Sequence, residues 1–382
     1  MNVRFMIAIA SLLLMSTVSY GYQINDNLSV SVTGYLNAVE STGDHFNTAK
    51  VGQTEVYLNT SNANGIRLSR AYLTISGRAN NEFSGKFTLD EAYSDPTASN
   101  GRGNVFVKYL YGIFTPVKNI EIRFGLTETP WIPYEESLWG YRFVSQTAPD
   151  YEGLMPSSDY GVAIVGSLFN KLIDYHIMGS NGEGYQSTQD ARGFAGSARI
   201  SLNVKPMTLS VFGWDESMHN GIPDYNPKRA IAMLMYTNGL IRVAGEYMWA
   251  DDHVTPSDLN FTKFNNGHGY SLWGVLRIPD AESLRIFARY LYMKPNNDHA
   301  YTPVSGIIQP DTDIGGVYGT NLLSNLTSNE NDWTMFGVSY DLTSDMIIAV
   351  DYNLYAVKGF DLSKNKTTYN DSSAALNLQV GF

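Results

Sequence analysis

Residues 376–382 read LNLQVGF and alternate strictly between apolar side chains and small or polar ones. One face of this run carries Leu376, Leu378, Val380 and Phe382, and the other carries Asn377, Gln379 and Gly381. Such alternation is typical of a strand with lipid on one side and water on the other, as in a membrane β-barrel. The alternative is an edge strand of a soluble β-sandwich, which the alternation alone does not separate from a barrel.

The same period of two recurs along the whole chain. Together with the C-terminal run, it predicts about sixteen antiparallel strands that close into a transmembrane β-barrel. The runs cover 28–40, 70–75, 83–89, 105–113, 120–126, 160–168, 173–177, 198–204, 207–211, 229–236, 241–249, 272–278, 284–292, 336–342, 348–354 and 376–382. The run 229–236 is ambiguous, because Ile231 and Met233 compete with Ala232 and Leu234 for the outward face.

The connections between these runs alternate in length. Short links rich in Asn, Asp, Gly and Pro, the residues that turns require, lie at 80–81, 116–119, 170–171, 205–206, 237–239, 279–280 and 343–345. Long polar stretches lie between them at 41–66, 128–157, 251–267 and 295–332. This alternation predicts periplasmic turns and extracellular loops, an even number of strands, and both termini on the periplasmic side. A soluble β-sandwich does not account for it.

The N-terminal residues have the pattern of a secretory signal. Arg4 is followed by an apolar stretch from Phe5 to Met15, and small residues stand at Ser19 and Gly21, where a signal peptidase recognises its site. The stretch is too short for a membrane-spanning helix, which is the alternative. We therefore expect residues 1–21 to be a cleaved signal peptide and residues 22–382 to form one outer-membrane barrel.

The composition fits an exported barrel and excludes several chemistries. Aromatic residues make up 13% and charged residues 16% of the chain, with 26 Tyr and 34 Gly, a mixture that suits aromatic girdles and many turns. The absence of Cys excludes disulfides, thiolate metal sites and haem attachment. The formal charge of −11 argues against non-specific binding of nucleic acid.

Three segments carry resemblances to known proteins. The last strand, which alternates toward Phe382, resembles the closing strand of Gram-negative outer-membrane proteins, where it serves as the assembly signal. Residues 67–90, RLSRAYLTISGRANNEFSGKFTLD, and residues 120–144, IEIRFGLTETPWIPYEESLWGYRFV, resemble bacterial porins of the phosphate-selective group. The resemblance implies a sixteen-stranded barrel, usually a homotrimer, whose third loop folds into the lumen. The lysine-rich arrangement of phosphate-selective members is not evident, so phosphate selectivity does not follow.

The long stretch 128–157 is the third loop, and we predict that it constricts a pore. Its charged residues are Glu128, Glu135, Glu136, Arg142, Asp150 and Glu152. Alternation places cations on the inward face of the strands, and these predict a pore wall of Arg70, Lys86, Lys108, Arg123, Arg199, Arg242 and Arg289. Opposite charges would then face each other across a narrow aqueous gap and sort solutes with weak selectivity. The alternative is a solvated loop that lies outside the barrel.

These patterns predict a porin for passive diffusion of small hydrophilic solutes and ions, in contact with outer-membrane lipid and lipopolysaccharide. An enzyme is the rival from another class, but its motifs are missing: the six His form no H-E-x-x-H, and no G-x-S-x-G occurs. No cofactor or metal is predicted. Two more functions stay open, namely a solute-selective porin of the anion or phosphate type and a structural barrel that sheathes a partner.

Overall fold

The chain folds into a closed antiparallel β-barrel. The computed structural model describes residues 22–43, 46–51, 54–59, 64–92, 104–187, 193–217, 226–252, 264, 266–295, 330–361 and 366–381. Sixteen strands form the barrel, and each pairs with its neighbour along the chain. The last strand pairs with the first long one, from Gly381 opposite Thr33 to Asp371 opposite Gly43, and this pairing closes the sheet.

The elements are numbered in chain order. The first half comprises β1 (Tyr22–Asn25), β2 (Leu28–Gly43), β3 (Phe46–Val51), β4 (Thr54–Asn59), β5 (Asn64–Arg78), β6 (Phe83–Ala92), β7 (Asn104–Val117), β8 (Ile120–Glu128), α1 (Ile132–Trp139), α2 (Ala148–Tyr151) and β9 (Ser158–Leu168). The second half comprises β10 (Ile173–Ser180), β11 (Phe194–Val204), β12 (Met207–Ser217), β13 (Lys228–Thr237), β14 (Ile241–Asp251), β15 (Gly267–Ile278), β16 (Ala281–Lys294), β17 (Glu330–Asp341), β18 (Met346–Asp361) and β19 (Lys366–Gly381).

Three of the nineteen strands are not part of the closed ring. The short β1 pairs only with the start of β2, and β3 pairs with β4 in a separate hairpin. That hairpin lies within 41–66, which the sequence predicted to be a plain polar loop. The other sixteen strands confirm the predicted fold class, an antiparallel barrel of sixteen strands with short turns at one end and long loops at the other.

Alternation along β13 resolves the ambiguity of the run 229–236. Met233 is fully buried inside the barrel, whereas Leu234 is 49% exposed on the outside. Ile231 is likewise buried and lies on the inner face with Met233. Both faces of this strand are therefore apolar, and the inner face is buried in the interior.

The short turns bring neighbouring strands together at one end of the barrel, here called the short-turn end. Asn119, Asn170 and Asp280 adopt positive φ angles of 71°, 54° and 62°, a conformation that Asn and Asp tolerate better than other non-glycine residues. At another turn, the Asn238 side chain accepts hydrogen bonds from the backbone N–H groups of Leu240 and Ile241. These turns fix the register of the hairpins.

A bulge in β7 changes what faces the lumen. Thr88 pairs with Tyr109 and Leu89 pairs with Val107, so Lys108 is the extra residue between them. As a result, Lys108 and Tyr109 are both buried toward the interior, while Val107 and Leu110 are exposed on the outside. Bulges redirect side chains in this way.

Two predictions lie outside the described residues: the signal peptide at 1–21 and the terminal aromatic Phe382. The rest of the C-terminal run is described in β19. Asn377 points inward, where it bonds to Asn37 and Asp351, so Leu376 and Leu378 lie on the opposite, outward face. Within the described ranges, neither α1 nor α2 is long and apolar enough to cross a membrane.

The barrel predicts a specific sensitivity to charge on its outer face. Replacing the outward Leu234 with Arg should make the free energy of folding into lipid vesicles less favourable by up to about 2–4 kcal/mol, the cost of Arg on the lipid face at the bilayer centre. The fraction of heat-modifiable, fast-migrating protein on a cold gel should fall accordingly at intermediate urea concentrations. Leu234→Ala is the control, and equal folding of the Arg and Ala variants would contradict the outward assignment.

Candidate functional site

The segment 128–157, here called the inner loop, lies inside the barrel and follows its wall. It leaves the end of β8, and the backbone N–H of Thr129 donates to Ser157 O, which joins the start of the loop to its end. Following the inner wall, the loop reaches as far as β2, where Asn37 Nδ2 donates a hydrogen bond to Phe143 O at 3.1 Å. It then returns to β9. These contacts with inward side chains exclude the alternative that the loop lies outside the barrel.

Wall arginines hold the inner loop through its backbone carbonyl groups. Arg199 Nε donates to Pro130 O at 3.0 Å, Arg242 Nη2 donates to Trp139 O at 3.0 Å, and Arg289 Nη1 donates to Gln146 O. A fourth residue, Arg229, donates from Nε to Leu154 O at 2.8 Å. Hydrogen bonds from a charged donor contribute about 1.5–3 kcal/mol each, so these four contacts fix the path of the loop.

Apolar side chains behind the inner loop complete its attachment. Strands β12 to β17 present large apolar residues inward, and the buried ones include Phe212, Met233, Met248, Trp273, Phe287, Leu291, Met293 and Met335. The loop packs Trp131, Ile132, Trp139 and Leu154 into the same cluster. Trp139 lies 5.5 Å from Trp273 and Tyr141 lies 4.5 Å from Phe287, measured between ring centroids. The inner wall from β12 to β17 is therefore a packed apolar core.

Helix α1 begins with Pro133 in its first turn and ends at Gly140. Gly140 has φ = 71°, and a side chain there would begin 3.1 Å from Arg242 Nη2, so glycine suits both the helix end and the arginine contact. The helix buries Ile132, Glu135 and Trp139, which share one face at helical spacing. Glu135 therefore points to the wall, and Glu136 lies on another face.

Glu135 forms a buried carboxyl pair with Glu246 of β14. It accepts a hydrogen bond from Trp131 Nε1 at 3.0 Å, and the charge of Glu246 acts on it inside the barrel. Arg289 is the cation that acts on both of them. Burial, and after it the charge of Glu246, raises the pKa of Glu135 well above its usual range.

The remaining loop carboxylates have partners of their own. Arg142 Nε donates to Glu136 Oε1 at 2.8 Å, and Arg142 Nη2 lies 3.5 Å from Asp150 Oδ2. Glu152 is fully buried and accepts a hydrogen bond from Asn331 of β17. Glu128, at the end of β8, binds Lys86 at 2.7 Å and Arg123 at 2.8 Å.

The wall opposite the apolar half carries the other predicted cations. Arg70 binds Asp90 at 2.5 Å, and Lys108 Nζ lies 3.8 Å from the same carboxylate and 4.9 Å from the centre of the Tyr72 ring. Arg123 also binds Glu121 at 2.8 Å. This wall, on β5 to β8, is here called the charged wall. Its cations are interleaved with tyrosines and paired with acids of the same wall.

The predicted arrangement of charges needs a correction. Sequence reasoning placed the loop carboxylates opposite the wall cations across water, but Arg199, Arg242 and Arg289 bind loop carbonyl oxygens instead. Glu135 and Glu152 are fully buried, so neither faces an aqueous gap. Buried carbonyl groups need a hydrogen-bond donor. A guanidinium group supplies N–H donors to them, so no loop carboxylate is needed for this contact. Of the loop charges, Glu128, Glu136, Arg142 and Asp150 remain partly exposed.

Several important residues were not predicted from sequence. Arg229 was missed because β13 was the ambiguous strand, and the apolar inner wall was missed because a lumen was expected to be polar. The available indication was the run 229–236, where both faces are apolar. Among the described residues, no three His, Asp or Glu side chains lie close enough together to hold a metal ion.

Comparison with known proteins places the fold among porins. No family model and no curated protein matches the sequence. Among solved structures, OmpF of Salmonella typhi matches with a TM-score of 0.59 at 12% identity, over 95% of this chain and all of that one. The channel DcaP of Acinetobacter baumannii gives 0.56 at 13%, over 95% and 99%. The anion-selective porin of Comamonas acidovorans gives 0.57 at 11%, over 93% and 100%. At these identities, the likeness establishes a porin-like barrel fold.

The carboxyl pair predicts that attachment of the inner loop depends on pH. Because the pKa of Glu135 is raised above its ordinary value of 4.5, its contribution is complete below that value and is lost as pH rises through the raised pKa. Between the ordinary and the raised pKa, attachment of the loop should weaken by up to about 1.4 kcal/mol for each unit by which the pH rises. Near-ultraviolet circular dichroism of the tryptophans should follow this change.

Glu135→Gln should reduce the pH dependence, because the amide keeps the shape and a donor but has no charge, and only the Glu246 carboxyl group of the pair is left to titrate. Glu136→Gln is the matched control on the neighbouring face and should retain the wild-type profile. If Glu135→Gln and the wild type titrate alike, the carboxyl pair does not control the loop.

Proposed function

We propose that this protein is an outer-membrane porin, a water-filled channel for passive diffusion of small hydrophilic solutes and ions. The observation that carries the proposal is the exposure of charged side chains inside a closed barrel. On the inward face, the side chains of Lys86 and Glu121 remain 29% and 39% exposed, beside a loop that is packed on the other half. Water therefore has access to the charged wall, as a channel requires.

The inner loop is the constriction in this proposal, and the charged wall is the opposite side of the passage. We assign the lining of the narrow part of the passage to charged residues on both sides. On the loop these are Glu136, Arg142 and Asp150, and on the wall they are Arg70, Lys86, Lys108 and Arg123. Arg199, Arg242 and Arg289 act differently, because they hold the loop in place. Glu135 and Glu152 belong to the attachment of the loop, and Glu128 joins its start to the wall.

Charge balance in the passage supports weak ion selectivity. The cations are Arg70, Lys86, Lys108, Arg123 and Arg142, and the acids that pair with them are Asp90, Glu121, Glu128, Glu136 and Asp150. Equal numbers of opposite charges exclude neither sign, while they orient dipolar solutes. This balance argues against a strongly anion- or phosphate-selective porin, for which an excess of cations would be needed along the same wall.

A structural barrel that sheathes a partner fits the interior less well than a channel does. A sheath needs a lumen wide enough for another chain, but here half of the inner wall is covered by a loop that four arginines hold. Small solutes fit the remaining space better than a protein does. Passive conduction is also the ordinary consequence of a barrel of this size. No enzymatic function and no cofactor enters the proposal.

The outer surface supports insertion in a lipid membrane and association into a homotrimer. Tyrosines suited to the lipid headgroup level are exposed on β9, β13 to β15, β17 and β18, namely Tyr160, Tyr236, Tyr247, Tyr270, Tyr340 and Tyr352. On β19, β2 and β5 to β8, none of the exposed large apolar side chains in the described residues is Tyr or Trp. Six adjacent strands without a girdle suit contact with further copies, and the rest suits lipid and lipopolysaccharide.

Reversing one charge on the inner loop should change ion selectivity. Glu136→Lys alters the charge beside the passage by two units, and a unit charge at 4 Å in water is worth about 1 kcal/mol, or roughly fivefold in local ion concentration. We expect the ratio of cation to anion permeability, measured from the zero-current potential in a planar bilayer, to fall by more than about fivefold, because two units of charge change and cations and anions respond in opposite directions. Glu82→Lys, in an exposed turn, should leave it unchanged. Equal potentials for both variants would argue against the constriction.

The export route that we propose uses residues 1–21 as a cleaved signal peptide and Phe382 as the assembly signal. Deleting Phe382 should lower the amount of barrel in the outer membrane severalfold without changing the conductance of the channels that insert. Deleting a residue from the turn 343–345 provides a control of equal size. Normal abundance of the Phe382 deletion, measured by heat-modifiability in membrane fractions, would count against this role.

A further inference from the structure

Three arginines cluster on the inner face at the short-turn end of the barrel. Arg242 is the second residue of β14, and Arg277 lies one residue before the end of β15. Arg285 is the fifth residue of β16, near the turn that joins β15 to β16. Arg277 lies directly opposite Arg285 in the β15–β16 pairing, and both charges act on Arg242. Like charges directly opposite each other destabilise a sheet, so the arrangement calls for a compensating group.

The described residues do not supply enough negative charge. Asp341 of β17 takes both Nη groups of Arg285, with Nη1–Oδ1 at 2.6 Å. The next carboxylate along the inner wall, Asp351 of β18, already accepts hydrogen bonds from Asn353 and Asn377. Among the described residues, Asp341 is therefore the one carboxylate that forms an ion pair with this cluster.

The other two arginines keep unused hydrogen-bonding capacity. Arg242 donates from Nη2 to Trp139 O, but its Nε is buried and has no partner among the described residues. Arg277 forms no ion pair with any residue in the described ranges and is only partly buried. Elsewhere on the inner wall, Arg70, Lys86, Lys108 and Arg123 are paired with carboxylates, so a group of arginines with a single ion pair stands out.

We infer that Arg242, Arg277 and Arg285 form a binding site for a doubly charged oxyanion. Guanidinium groups present parallel N–H donors that fit pairs of oxygen atoms, and they are weakly hydrated cations. With Asp341 bound to Arg285, the guanidinium groups of Arg242 and Arg277 form no ion pair within the described residues, and two such cations favour a dianion over chloride. Sulfate and a short dicarboxylate such as succinate both carry this chemistry.

The position of the site gives it a function within the proposed channel. The end of α1, at Trp139 and Gly140, covers the cluster on the side of the inner loop, because Arg242 contacts both residues. The other side faces the short-turn end, which is the periplasmic mouth if the protein is a porin. This part of the inference rests on the proposed function: a dianion held there meets the passage just below the constriction and slows current from the periplasmic side.

The first experiment measures binding without requiring a channel. Purified, detergent-solubilised protein is titrated with sodium sulfate and, separately, with sodium succinate in low-chloride buffer, and the heat is recorded by calorimetry. Arg277→Gln is the test variant, because this side chain holds no contact of the inner loop. Arg78→Gln, an exposed arginine at the short-turn end of β5, is the matched control.

We expect the wild type and Arg78→Gln to bind with the same dissociation constant within about twofold. Arg277→Gln should raise it about tenfold, because the loss of a charge-assisted hydrogen bond of about 1.5 kcal/mol corresponds to that factor. Arg277→Lys keeps the charge but loses the parallel N–H donors of the guanidinium group, so its dissociation constant should lie between those of the wild type and Arg277→Gln. Heat with sulfate alone identifies an inorganic oxyanion, and heat with succinate alone identifies a dicarboxylate.

Equal constants for the wild type, Arg277→Gln and Arg78→Gln would overturn the inference, as would the absence of heat with both anions. All variants are first required to show wild-type heat-modifiability, so that misfolding is not mistaken for loss of the site. A planar bilayer then separates the two proposals. Binding in calorimetry without any conductance would contradict the porin, whereas conductance without binding would contradict only the anion site.

Discussion

The structure depends on the pairing of β19 with β2, because this pairing leaves no strand edge in the barrel. A backbone N–H or C=O group without a partner costs several kcal/mol in an apolar medium, so an open sheet of this composition would not be stable there. Closure also creates the enclosed interior that the inner loop occupies. The alternation along each strand separates an inner face from an outer face only when the ring is closed, and the loop has an interior to occupy only then.

The interior of the ring is divided into two unlike halves. From β11 to β17, arginines and large apolar side chains hold the inner loop, and the packing resembles the core of a soluble protein. From β5 to β8, charged side chains are paired along the wall and retain contact with water. A loop anchored through its carbonyl groups does not depend on its own charges for attachment. Those charges are therefore available for the passage, except for Glu135 and Glu152, which are buried in the attachment.

The barrel was predictable because the period of two and the turn residues act locally. The strands, their number and the short turns follow from side-chain alternation and from Asn, Asp, Gly and Pro. The interior was less predictable, because the side chains that face inward respond to what lies opposite them. Met233 faces inward only because the loop covers it, and Arg199 binds Pro130 rather than a carboxylate because of the loop's path. The burial of Glu135 was foreseeable from its helical spacing with Ile132 and Trp139.

The position of the inner loop in the chain constrains the order of assembly. The loop lies between β8 and β9, but the wall that receives it is built from β11 to β17, which are later in sequence. Trp273, Phe287 and Met233 do not gain the apolar side chains of the loop until the loop lies against them, and the loop has no docking surface until those strands are paired. Contacts of such long sequence separation form late and slowly. The nascent barrel must therefore curl around its own loop while the seam is still open, so insertion of the loop and closure of the seam become a single concerted step.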